Sequence, residues 1–77
     1  MSHRILIVED EPDIREIISY NLRQAGLEPE TAEDGEQALV KAESLRPDLI
    51  ILDLMLPGID GLEVCRLLKQ RDSVRHI

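Results

Sequence analysis

The acidic side chains with the clearest chemical potential sit where apolar runs end. Ile5-Leu6-Ile7-Val8 stops at Glu9-Asp10-Glu11, and Leu49-Ile50-Ile51-Leu52 stops at Asp53. An unbroken apolar run of this kind fits a strand buried on both faces, as in a parallel sheet covered by helices. Pro57-Gly58 soon forces a turn, so Asp53 is carried to the tip of its strand and held at the rim of a loop. In open α/β sheets, ligands bind outside the carboxyl ends of the strands. If the two runs are neighbouring parallel strands, their tips lie ~5 Å apart and Glu9, Asp10 and Asp53 converge. Three carboxylates cannot crowd together ionised without raised pKa values or a cation. A hard divalent ion is the economical answer, and Mg2+ takes one or two carboxylates, waters and a phosphate oxygen. A plainer reading stands beside this one. Asp53 is then a solvated turn residue, and Glu9 and Asp10 favour the positive end of a following helix, worth ~0.3–1 kcal/mol. Helix capping, however, asks for no acid at the end of the second run.

The elements that must position these acids can be read from periodicity. Arg4 to Val8 forms a first strand. Pro12 suits the first position of a helix to Ala25, with Ile14, Ile17, Ile18 and Leu22 as its apolar face. Gly26 is a natural stop. Leu27 to Ala32 contains Glu28, Pro29 and Glu30, which fits an edge strand because proline cannot donate to a ladder. Asp34 with Gln37 makes a capping-box pattern opening a helix from Gly35 to Leu45, and Pro47 prevents its continuation. Leu49 to Asp53 is the third strand. Asp60 and Glu63 form a second cap-like pair before a helix from Gly61 to Gln70, whose apolar residues spread over more than one stripe. Strand–helix alternation implies a parallel sheet with right-handed crossovers. With the two apolar strands adjacent and the Pro29 strand outside, the order is 2-1-3.

Composition narrows the function classes. The chain has 77 residues, 16 acidic and 9 basic, for a formal net charge of −7. That argues against nucleic-acid binding by this segment, because phosphate contacts need Lys and Arg. A chain this short is one small domain at most. The single cysteine, Cys65, precludes an internal disulfide and is compatible with a reducing cytosol; it falls on the apolar side of its helix, as core packing. Nothing in the sequence is long and apolar enough to span a membrane. His3 and His76 read as solvated, and Arg66, Lys69 and Arg71 as a solvated helix face.

Taken together, Ile5-Leu6-Ile7-Val8-Glu9-Asp10-Glu11 and Pro47-Asp48-Leu49-Ile50-Ile51-Leu52-Asp53-Leu54-Met55-Leu56-Pro57-Gly58-Ile59-Asp60-Gly61 resemble the receiver domain of bacterial two-component response regulators, in the OmpR/PhoB (phosphate-regulon) flavour. The likeness runs along the whole chain. It implies an α/β, flavodoxin-like three-layer fold with helices on both faces of the 2-1-3 sheet. It implies Asp53 as the phosphoacceptor nucleophile, taking a phosphoryl group from a sensor kinase phosphohistidine to form an aspartyl phosphate. Slow self-dephosphorylation follows, so the chain is not a conventional enzyme. Mg2+ would be held by Glu9, Asp10, Asp53 and the backbone carbonyl of Met55, with Glu9 acting through a water. Ile14 and Pro57 sit where the family docks its kinase, although a half-buried helix residue and a turn proline would look the same. The resemblance also implies a cytoplasmic protein that controls transcription through a DNA-binding output domain.

The family's receiver has five strand–helix repeats, with a Ser or Thr after the fourth strand and a Lys after the fifth. Residues 1–77 hold three repeats, so the expectation is the N-terminal part of a single receiver domain. Loss of one preorganised donor costs ~10²–10³ in rate, so metal binding at most, and not efficient phosphotransfer, is expected of these residues alone. The third strand would then be an apolar edge, open to homodimer formation. A non-phosphorylated interaction or dimerisation module is the alternative. A haloacid-dehalogenase-like phosphatase also uses an aspartate nucleophile, but wants a second Asp where Met55 stands.

Overall fold

The structure, a computed structural model, describes residues 3–52, 61–72, 74 and 76. The elements follow one another as β1 (Arg4–Val8), α1 (Pro12–Gln24), β2 (Glu28–Ala32), α2 (Gly35–Leu45), β3 (Leu49–Leu52) and α3 (Gly61–Lys69). Each lies within a residue of its sequence-based expectation; residue 53, the expected last residue of the third strand, lies outside the described residues. The three strands form one parallel sheet in the order β2-β1-β3, as the alternation requires.

The central strand is the apolar one. Ile5, Leu6, Ile7 and Val8 are all at most 5% exposed. Side chains alternate across a strand. Leu6 and Val8 join Ala32, Ala38, Leu39, Ala42, Val64, Leu68 and Val74 in one core on the α2 and α3 face. Ile5 and Ile7 therefore point to the other face, where α1 packs over β1 and β2. Burial of each such aliphatic side chain stabilises the fold by ~1.5–3 kcal/mol. The third strand differs from the expectation of burial on both faces. Leu49 is 53% exposed and Ile50, Ile51 and Leu52 are half-buried, because β3 has a single strand neighbour among the described residues.

The first helix presents a different face from the one its isoleucines suggest. Ile14 and Ile17 are exposed, at 44% and 60%, together with Tyr20. The inward residues are Arg15, Ile18, Ser19 and Leu22, which recur at helical spacing. Ser19, 2% exposed, is small enough to let the helix lie close to the sheet. The helix ends in a paired turn. Gly26 N–H donates to Arg23 O at 3.0 Å and Leu27 N–H to Leu22 O at 3.0 Å, with Gly26 at φ 84°. Such a turn needs a left-handed residue, which glycine supplies without steric cost.

At α2 the Asp34 carboxylate accepts from Gln37 N–H at 2.8 Å. The return bond of the capping box is displaced by one residue, with Gln37 Oε1 accepting from Glu33 N–H at 3.0 Å. The last residue before Pro47, Arg46, takes a left-handed φ of 48° and closes the helix. Along α3, Val64 and Leu68 are buried and Leu62 is exposed. Cys65 is exposed as well, not packed in the core, since it lies one residue off the buried Val64–Leu68 line. The basic residues nearby are paired: Arg66 binds Glu63 within α3, and Arg71 reaches Glu43 of α2 at 3.2 Å. Asp60, the expected capping partner of Glu63, lies outside the described residues.

Candidate functional site at the carboxyl end of the central strand

The first strand delivers Glu9 and Asp10 to the carboxyl end of the sheet. The ladder continues past Val8: Glu9 N–H donates to Ala32 O of β2 at 3.1 Å. Glu9 is buried, 9% exposed, and its Oε2 accepts from Glu11 N–H at 3.4 Å. Asp10, the next residue, is exposed. A buried carboxylate beside further acids is costly unless charge is offset.

Arg15, which the sequence reading passed over, brings a cation to the main chain of this loop. Its Nη1 donates to Glu9 O at 2.9 Å and to Asp10 O at 3.3 Å. Its Nη2 lies 3.7 Å from Glu33 Oε1, in the loop between β2 and α2. The side chain is 18% exposed. A signal for it did exist in the sequence. Arg15 follows Pro12 by less than one turn, so it places a cation near the positive pole of its own helix. Such a residue needs electronegative partners from elsewhere, and it finds them in the main-chain carbonyls of Glu9 and Asp10 and the carboxylate of Glu33.

Val8 pairs with Leu52 in register, so the described end of β3 lies level with the end of β1. Asp53 is the next residue in the chain. Asp53, Met55 and Pro57 fall outside the described residues, so of the expected metal ligands the structure places Glu9 and Asp10. Among the described residues no group of three His, Cys, Asp or Glu is arranged to hold a metal ion. The two acids that are described offer hard oxygen donors, one buried and one open to solvent, which fits Mg2+ in its donor chemistry. Ile14, the expected docking residue, is exposed on α1.

Two carboxylates away from this rim are perturbed by their partners. The carboxyl of Asp48 is held below its ordinary value by the hydrogen bond from Arg4 N–H, 2.9 Å, with His3 adding to the effect. That pair sits at the opposite end of the sheet, where β1 begins. Glu63 is lowered by its bond to Arg66, on the outer surface of α3.

Known proteins match this arrangement over nearly its whole length. The model of the response regulator receiver domain matches residues 5–77. The chain belongs to the response regulator receiver family. It is 52% identical over 71 residues to the alkaline phosphatase synthesis transcriptional regulatory protein PhoP of Bacillus subtilis, covering 92% of this chain and 30% of that protein. It is 46% identical over 74 residues to the DNA-binding response regulator MtrA of Mycolicibacterium smegmatis, covering 96% and 32% respectively. Among solved structures, the response regulator TrrA of Thermotoga maritima, crystallised with Mg2+ and BeF, superposes with a TM-score of 0.87. It is 49% identical, with 94% of this chain and 62% of that chain covered. The chain thus spans about a third of the length of these curated relatives. As a receiver, it has the flavodoxin-like fold expected from its strand order, and the reading as a non-phosphorylated module is not favoured. No helix among the described residues is long and apolar enough to cross a membrane.

Proposed function

We propose that residues 1–77 are the N-terminal part of one receiver domain and that Asp53 is its phosphoacceptor. The observation that supports this best is the level ending of two parallel strands. Glu9 and Asp10 leave the tip of β1, and Asp53 follows Leu52, the partner of Val8. Glu9, Asp10, Asp53 and the Met55 carbonyl would hold Mg2+, whose charge neutralises phosphoryl oxygens and lets a carboxylate attack phosphorus.

The donor is a phosphohistidine of a sensor histidine kinase. An Asp53 carboxylate oxygen forms a new O–P bond as the N–P bond breaks. The imidazole nitrogen keeps the electron pair and takes up a proton. Hydrolysis of the acyl phosphate later returns the carboxylate and inorganic phosphate. The exposed stripe Ile14, Ile17 and Tyr20 on α1, beside the acidic rim, supports kinase docking at Ile14; Pro57 is proposed as a second docking residue on the family resemblance alone. In the intact protein the phosphorylated state controls transcription, in keeping with the names of the relatives, and the site works in the cytoplasm where such kinases present their histidines.

The test uses the full-length protein incubated with a small phosphodonor, with and without Mg2+, and read by intact mass. Wild type gains one phosphoryl group only with Mg2+, and the gain is lost on treatment with hydroxylamine. Asp53→Asn gains none. A phosphoryl group on Asp53→Asn, or none on wild type with Mg2+ and donor both present, overturns the assignment.

A further inference from the structure

We infer that Arg15 is a positioning residue for the cation site: its guanidinium bridges the main-chain carbonyls of Glu9 and Asp10 and fixes the backbone from which both carboxylates project. The inference rests on the reading of those acids as Mg2+ ligands.

The geometry is unusual for a helix residue in its first turn or just past it. Arg15 donates backward across the acidic loop, to Glu9 O at 2.9 Å and Asp10 O at 3.3 Å from a single nitrogen. The other terminal nitrogen faces Glu33. Glu9 is consequently held at both ends of its own peptide units, its N–H on Ala32 O and its C=O on Arg15. The Arg15 side chain is 18% exposed, so it is held against the loop; its Glu33 partner is 64% exposed, and the hold on the loop rests on the two carbonyls and not on that ion pair. The helix gains nothing from it, because a cation near the amino end opposes the dipole. The loop gains a rigid strap joining it to α1 and to the β2–α2 loop.

Metal ligands are oriented by groups one bond further out, and loss of such a group typically weakens metal binding 10–100-fold. The planar fork of arginine matters here. A lysine ammonium has three donors but a single nitrogen, so it cannot hold the two carbonyls and reach Glu33 with a second nitrogen in the same fixed geometry.

The test compares wild type, Arg15→Lys and Arg15→Gln in the full-length protein, by calorimetric Mg2+ titration and by amide NMR shifts of Glu9, Asp10 and Glu11 without metal. Arg15→Gln should weaken Mg2+ binding about 10-fold, and Arg15→Lys by a smaller factor. Both should shift the three loop amides in the metal-free state. A merely electrostatic role gives another result: Arg15→Lys unchanged and Arg15→Gln tighter, since a nearby positive charge has been removed. A merely structural role lowers the unfolding temperature while leaving the Mg2+ affinity of the folded variants unchanged. Either outcome overturns the inference while leaving the metal site standing. Absence of Mg2+ binding in wild type removes the site and the inference together.

Discussion

Replacement of Glu9 by glutamine should make the metal-free protein more stable and its response to Mg2+ weaker. Glu9 is 9% exposed and is followed directly by Asp10 and Glu11. Taking a charge out of water costs several kcal/mol, partly returned by hydrogen bonds such as that from Glu11 N–H. Glutamine keeps the shape and the acceptor oxygen but removes the charge, for a net gain on the order of 1 kcal/mol without metal. The metal works in the other direction. At a Mg2+ concentration 100 times Kd, binding stabilises wild type by about 2.7 kcal/mol. A tenfold weaker variant gains about 1.4 kcal/mol at the same concentration. The difference of about 1.3 kcal/mol cancels or reverses the variant's lead. Urea unfolding of both proteins, in EDTA and across a Mg2+ series, reads each number directly. The variant should lead in EDTA and lose that lead as Mg2+ rises. A variant less stable in EDTA, or two proteins with the same Mg2+ response, would refute the reasoning.

Two further outcomes concern the scaffold. Gly26→Ala meets no atom within 4 Å, so its cost is purely that of a left-handed φ of 84°. A penalty of ~1–2 kcal/mol, less ~0.4–1 kcal/mol from a stiffer unfolded chain, leaves a destabilisation of about 1 kcal/mol in urea melts; an unchanged or raised midpoint contradicts this. The Asp48 carboxyl is held low by Arg4 N–H first and by His3 as well. A carboxyl lowered by folding contributes stability above its unfolded pKa of ~3.9, and that contribution is lost as pH falls through the folded value. Asp48→Asn should therefore be less stable than wild type near neutrality, with the gap closing in the acid range below the unfolded pKa. A gap independent of pH would exclude the carboxylate as its source.

The order of elements and the strand pairing were legible because hydrophobic runs and their breaks are local. Gly26, Asp34 and Pro47 mark helix ends by backbone chemistry that needs no tertiary context. The facing of α1 was not legible. Ile14, Ile17, Ile18 and Leu22 describe an apolar stripe, yet the helix turns Arg15, Ile18, Ser19 and Leu22 inward. That choice depends on a small serine against the sheet and on carbonyls that become available to Arg15 only when β1 and α1 meet. Cys65 was misplaced for a similar reason, one residue off the buried line of α3. At the site, Glu9 and Asp10 could be read from the end of an apolar run, whereas of their strap only a cation near the amino end of its helix was visible, not the carbonyls it binds. Main-chain acceptors leave no mark in side-chain composition.

A crystal structure of the full-length protein grown with Mg2+ tests the shared cation most directly. The account predicts one ion with carboxylate oxygens of Asp10 and Asp53 at ~2.1 Å, Glu9 linked to it through water, and the Met55 carbonyl in the same shell. An ion bound elsewhere, or Asp10 and Asp53 too far apart to touch a common ion, would contradict it.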